Sequence, residues 1–267
     1  MLVDIHKNKD LRNIEVNNIG ICDYKLPIIF KNKSNIFPTI ATITSTVVLD
    51  RNLKGAHLSR ISEVINDSLI NKNISLGDIN DITKEVAERS ETKGANLILS
   101  FDLINKRLTP VSKKDSYLSS KITIISDIFD KSVSNKLIVE TVGTMLCPCS
   151  KAISKYGAHN QICNLKVSLT GNIESIDVFG FLAPRQDIME QQFSSPVYST
   201  VKREDEKYIT EKAYENPKFS EDLIRDTIIA IHNYYSACDI RVELVNNESI
   251  HQHNVYAMGE QNADFNS

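Results

Sequence analysis

Residues Thr39–Leu49 read TIATITSTVVL, and His57–Leu69, just beyond them, read HLSRISEVINDSL. The first run is dense in β-branched residues, which suit a pleated, half-buried surface. The second places Leu58, Ile61, Val64, Ile65 and Leu69 at helical spacing, so one face of a helix is apolar. Strand, turn (Asn52–Gly55) and amphipathic helix thus succeed one another, and the rest of the chain repeats this grammar. A second helix is expected over Leu76–Arg89, with Gly94 beyond its end. Leu97, Leu99, Phe101 and Leu103 then alternate with Ser100 and Asp102 as a half-buried strand does, and another strand follows at Ile122–Ile128.

A second pass begins at Lys136. LIVETVGTML (Leu137–Leu146) and NLKVSLTG (Asn164–Gly171) read as strands. Ser220 is placed as the N-cap of a helix with Glu221 and Asp222 in its first turn and Leu223, Ile224, Ile228 and Ile231 on one face. Ile240, Val242 and Leu244 form the alternating face of a last strand. Strands with helices segregated between them predict an α+β protein with antiparallel sheets. Residues 1–35 are polar and read as a loosely structured lead-in. Residues 36–133 and 134–258 read as two successive modules, and 259–267 as a disordered tail. The segment Pro184–Asn216 is polar and carries no periodic pattern.

Composition narrows the class. Of 267 residues, 41% are hydrophobic and 24% charged, with a net charge of -3. That balance offers no global attraction to nucleic acid or acidic membranes. No apolar run approaches the ~20 residues of a membrane span, and Asp4, Lys7, Lys9 and Asp10 stand where an export signal would be apolar. The expectation is a cytoplasmic protein whose five cysteines are reduced thiols or metal ligands.

Chemistry concentrates in TMLCPCSKAISKYGAHNQ (Thr144–Gln161). Cys147 and Cys149 flank Pro148, and His159 lies twelve positions after Cys147. Thiolate and imidazole are a natural pair for a borderline-soft divalent ion. The same residues also suit two buried thiols beside a surface histidine. NNESIHQHNVYA (Asn246–Ala257) is the second concentration. On extended backbone His251 and His253 point the same way, beside Glu248, as metal ligands, proton carriers, phosphate contacts or plain exposed polar residues. Between them the run VYSTVKREDEKYITEKAYENPKFSEDLIRD (Val197–Asp226) mixes acids and bases and reads mostly as solvated surface.

Four strings together resemble the type IB GTP cyclohydrolases along nearly the whole chain. They are KGAHLSR (Lys54–Arg60), PCSKAISKYGAHNQ (Pro148–Gln161), KREDEKYITEKAYENPKFSED (Lys202–Asp222) and NESIHQH (Asn247–His253). The resemblance implies a tunnelling fold, two related modules per chain, each an antiparallel sheet with helices on one face, in a homo-oligomer expected to be a homotetramer. It implies hydrolysis of GTP to 7,8-dihydroneopterin triphosphate and formate, with one divalent metal (zinc, manganese or iron) and no organic cofactor, nucleic acid or membrane partner. By that match Cys147, His159 and Glu206 look like metal ligands and Cys149 like the active-site thiol. Glu221 looks like the guanine anchor, and Glu248, His251 and His253 fall on the C-terminal active-site string. Lys54, His57, Arg60, Lys151, Lys202 and Arg203 are candidates for the triphosphate. The chain departs from the pattern at Ile162, where the family usually has Arg, at Ser195–Tyr198, and mildly at Ala56 and Leu58. The alternatives are a related nitrile reductase using a nicotinamide cofactor, or a non-catalytic metal-binding protein.

Overall fold

The computed structural model describes residues 5–6, 8–182 and 188–263. By compactness the chain divides into two units. One comprises Met1–Asp102, Thr123–Leu137 and Gly171–Ser175, and the other Leu103–Ile122, Ile138–Thr170 and Ile176–Ser267.

In the first unit β1 (Val16–Asn32) folds back antiparallel on β2 (Asn35–Leu49) through a two-residue turn. Lys33 takes the left-handed conformation in that turn (φ 54°). Alternation sends Ala41, Ile43, Ser45 and Val47 of β2 inward. The next strand is β4 (Gly94–Leu108), whose Ala95 and Ser100 face Val47 and Thr42. Helices α1 (Leu58–Leu69) and α2 (Asp78–Arg89) cover the apolar side. Ile61, Val64, Ile65 and Leu69 of α1 and Ile79 and Val86 of α2 are buried with Leu97, Leu99 and Ile43. At roughly 1.5–3 kcal/mol per large apolar side chain removed from water, this layer supplies the unit's main drive to fold. A short β3 (Asn73–Ile74) adds parallel to β1, giving the order β5-β4-β2-β1-β3 with β5 at Asp115–Phe129.

The second unit is built on β6 (Ser132–Leu146), β7 (Asn160–Gly171), β9 (Cys238–Asn247) and β10 (Val255–Gln261), with strand order β10-β9-β7-β6-β5-β4. A two-residue β8 (Ser195–Pro196) pairs with β6 at Gly143 and Thr144. Helix α6 (Ser220–Tyr235) packs on β9 and β10 through Leu223, Ile224 and Ile231. The shorter helices are α3 (Pro148–Ile153), α4 (Val178–Leu182) and α5 (Arg203–Glu215). Arg107 and Glu190 form a buried ion pair, and the guanidinium lies over the Tyr198 ring at 5.7 Å. The architecture is the α+β arrangement of antiparallel strands and few helices expected from the pattern.

Several elements differ from their sequence reading. The supposed lead-in contains β1, a strand of 17 residues whose inner positions Leu26, Ile28 and Phe30 are buried. The supposed tail begins inside β10, which runs to Gln261, and its last residues, 264–267, lie outside the described residues. Within the charge run Arg203–Glu215 form the helix α5, mostly exposed as expected, but its Asp205 is fully buried. Ser220 is the first residue of α6 and not its cap. Its hydroxyl accepts from Asn246 Nδ2 (2.8 Å), while the Asp222 carboxylate accepts the Phe219 N–H (3.1 Å) at the helix start.

Candidate active site

The second unit gathers three of the four strings. Strand β6 ends where Pro148 removes a donor from the ladder, and Pro148 becomes the first residue of α3. Cys147 is the cap of that helix, its thiol accepting from the Ser150 N–H at 3.4 Å. Gly157, with φ of 135° and open space where a Cβ would be, lets the chain turn back toward β6. The return is tied twice: Cys147 N–H donates to the His159 carbonyl (3.1 Å), and His159 N–H donates to Ser150 Oγ (3.0 Å). Cys147 and His159 are thereby held as neighbours, both half-buried, and Cys149 is exposed on α3. The fully buried thiols are elsewhere, at Cys163 and Cys238. Burial pushes Cys163 up to about 12 and raises Cys238 as well.

The C-terminal string meets this turn through side chains. Gln161 Oε1 lies 3.1 Å from His159 Nδ1, and Gln161 Nε2 donates to Glu248 Oε1 at 3.4 Å. Ser249 Oγ also stands 3.5 Å from His159 Nδ1. His251 and His253 do sit side by side, with ring centroids 5.1 Å apart and planes 14° from parallel. Their backbone is a bend between β9 and β10, however, and not the extended strand the alternation argument assumed. Both rings are exposed.

The third string is anchored to the same strand end. Lys218 N–H donates to the Leu146 carbonyl (3.1 Å), and Asn216 Nδ2 donates to the Phe193 carbonyl (3.0 Å). Lys151 donates to the Tyr214 carbonyl and sits over its ring at 4.4 Å. Lys151 is thus engaged within the protein. Glu221 is exposed in the first turn of α6, next to Ser220 and its bond to Asn246. Glu206 is exposed on α5, where its N–H closes the first helical bond to Lys202. Lys202 and Arg203 are exposed at the start of α5.

Among the described residues no three His, Cys, Asp or Glu side chains come together as a group that could hold a metal ion. The donor chemistry of Cys147 and His159 does fit a divalent ion, since thiolate and imidazole are its usual partners. These two are held as neighbours by their own backbone, while Glu206 is not gathered with them within the chain.

The remaining string, KGAHLSR, lies in the first unit. There a cavity of about 420 Å³ is lined by His57, Arg60, His6, Asp50, Glu91 and Lys93 among others. The His57 ring lies 4.6 Å from that of His6, tilted by 42°. Arg60 is already committed, donating to the Arg89 carbonyl and to Glu91 (both 3.0 Å). Lys54 is exposed.

Sequence reasoning missed Gln161, Ser150 and Ser249. Gln161 stood in the quoted GAHNQ run two positions after His159. On a strand that spacing puts two side chains on one face, which was the available signal. Ile162, where the family pattern has Arg, is exposed on β7.

A family model described as type I GTP cyclohydrolase folE2 matches residues 2–257. The GTP cyclohydrolase FolE2 of Neisseria meningitidis serogroup C is 36% identical over 256 residues, covering 96% of this chain and 84% of the relative. That of Geobacter sp. strain M21 is 36% identical over 267 residues, covering 98% and 96%. Among solved structures, uricase from Arthrobacter globiformis superposes with a TM-score of 0.55 at 9% identity, over 94% of this chain and 95% of that one. That likeness bears on the fold alone and agrees with the tunnelling fold expected from the sequence. A family model matching residues 2–257, and relatives 36% identical over at least 96% of this chain, place it in the type I GTP cyclohydrolase folE2 family.

Proposed function

We propose that this protein is a metal-dependent GTP cyclohydrolase of the type IB kind, converting GTP and water to 7,8-dihydroneopterin triphosphate and formate at the head of pterin and folate synthesis. The observation that carries the reading is the turn at the end of β6. It ties Cys147 to His159, leaves Cys149 exposed between them in sequence, and joins them through Gln161 to the C-terminal string.

Cys147, His159 and Glu206 would hold the ion, the first two as the preformed pair. Zinc, manganese and iron all suit that donor set, and a bound ion supplies Lewis acidity to a water. In the reaction water adds at C8 of guanine and the imidazole ring opens to a formamide, a second water releases C8 as formate, and the freed amine closes on the rearranged ribose with loss of one water. Cys149, exposed at the first turn of α3, is the nucleophilic or proton-handling thiol at the reacting centre. His251 and His253 carry protons during opening and formate release, which their exposed, stacked rings allow. The Glu221 carboxylate accepts from guanine N1–H and the 2-amino group. Lys54, His57, Lys202 and Arg203 remain as triphosphate contacts, while Arg60 would first have to leave Glu91. Two tandem modules and a homotetrameric assembly belong to the same reading.

The test is to incubate the purified protein with GTP, with and without chelator and added divalent ions, and to follow formate together with the fluorescent oxidised pterin. Both products are expected, lost on chelation and restored by metal. Cys149→Ala is expected to lower formate release at least 10²-fold, a typical cost of removing such a group, with the circular dichroism spectrum unchanged. Absence of both products with every ion tried would sink the reading.

A further inference from the structure

Gln161 takes no part in the chemistry above, yet it sits between two groups that do. Its amide is half-buried on β7, with Oε1 facing His159 Nδ1 at 3.1 Å and Nε2 facing Glu248 Oε1 at 3.4 Å. We infer that Gln161 is a positioning residue: clamped by Glu248, it holds His159 as the Nδ1–H tautomer and so leaves the lone pair on Nε2.

A carboxylate can only accept, so the Glu248 oxygen must receive a hydrogen from Gln161, and the amide NH2 turns that way. The amide oxygen is thereby committed to the other side, where it faces Nδ1. An acceptor at that distance calls for a donor, so Nδ1 bears the hydrogen. Neutral imidazole has only one, and Nε2 is left with its lone pair. The Ser249 hydroxyl, 3.5 Å from the same nitrogen, can add a second, weaker acceptor but cannot reverse the order set by the carboxylate. Free imidazole side chains prefer the opposite tautomer, with hydrogen on Nε2, so the clamp works against the intrinsic preference. Orientation of a ligating imidazole through its other nitrogen is a general device of metal sites. Here the two backbone ties of His159, to Cys147 and Ser150, fix where the ring starts, and Gln161 fixes which nitrogen is presented.

The inference rests on the reading of His159 as a site residue for its meaning, but its test needs neither GTP nor metal. In metal-free protein labelled with 15N, at about pH 8.5 and so above the ordinary imidazole range, long-range 1H–15N correlation separates the two tautomers. The His159 signals are assigned by their loss in His159→Asn. The native protein is expected to show protonated Nδ1 and bare Nε2. Gln161→Leu is expected to shift the tautomer ratio about fivefold toward Nε2–H, the weight of one ordinary hydrogen bond. Should Gln161→Leu not fold, Glu248→Gln stands in for it. That change frees the amide to turn either face, and it is expected to move the ratio in the same direction. A native His159 protonated at Nε2 overturns the inference, and so does an unchanged ratio in whichever of the two variants is folded. Loss of GTP turnover alone would leave the tautomer pattern intact, so the two readings fail separately.

Discussion

Gly143 lies near the end of β6, paired with Pro196 of β8, and a Cβ placed there would overlap the Phe193 ring. Phe193 is 1% exposed and among the largest fully buried side chains, so it has no room to retreat. Gly143→Ala should therefore destabilise by about 1–3 kcal/mol, the usual cost of overpacking a filled core, measured as a lowered midpoint in urea. An unchanged midpoint would mean that Phe193 swings aside. The thiols show the same dependence on surroundings. Identical in sequence as Cys, Cys163 is buried and its ionisation pushed up to about 12, while Cys149 is exposed. His251 and His253 make a related point: alternation along a strand put them on one side, and a bend with stacked rings put them there instead.

At the scale of elements, α5 shows how a run of charges becomes an anchored helix. Asp205 accepts from the N–H groups of Lys202, Val111 and Ser112, each at 2.9 Å, and from the Ser112 hydroxyl. One carboxylate thus caps α5 and closes the turn between β4 and β5. Burial pushes the Asp205 carboxyl up, but the bonds from Ser112, Lys202 and Val111 outweigh it and hold the group below the usual carboxylate range. A folded-state value below the unfolded one means that the stabilisation is present above the unfolded value, ordinarily about 4, and fades as pH falls through the folded value. Asp205→Asn should lower the melting temperature by roughly 5 °C at pH 7. The gap to the native protein should narrow as pH drops below about 4. A gap that stays constant with pH would show that charge is not the relevant property. The elements that escaped notice are β1, whose Leu26, Ile28 and Phe30 alternate inward, and β10, which has no such stripe. Along β10 the positions alternate between half-buried and exposed with none buried, and α6 closes over it at Gly259, where a Cβ would meet Ile224. Its residues carry no apolar stripe to announce a strand.

At the scale of the molecule, the chain passes between its two compact units after Asp102, Ile122, Leu137, Thr170 and Ser175. Residues 103–122 belong to the unit that also contains 138–170, so a cut between 133 and 134 would take strand residues from both units. Fragments 1–133 and 134–267, expressed separately, are expected to be degraded by trypsin at least tenfold faster than the intact chain, since each has lost strands that complete its core. Resistant fragments would show that each half closes its own sheet. No described helix is long and apolar enough to cross a membrane.

Local pattern was enough for the α+β class, for α1, α2 and most of α6, and for the inner faces of β2, β4 and β9. In each of these a period of 3.6 or 2 in apolar side chains reports burial directly. The runs Thr144–Gln161 and Asn246–Ala257 brought Cys147, Cys149, His159, Glu248, His251 and His253 forward as candidates. What sequence spacing did not contain was contact between residues far apart in the chain. The amide of Gln161 between His159 and Glu248, the Asn246–Ser220 bond that displaced a helix cap, and the burial of Asp205 against Ser112 span from 26 to 93 positions. Such contacts depend on which strands become neighbours, and strand order is decided by how all the apolar faces close together, not by any one segment's own period.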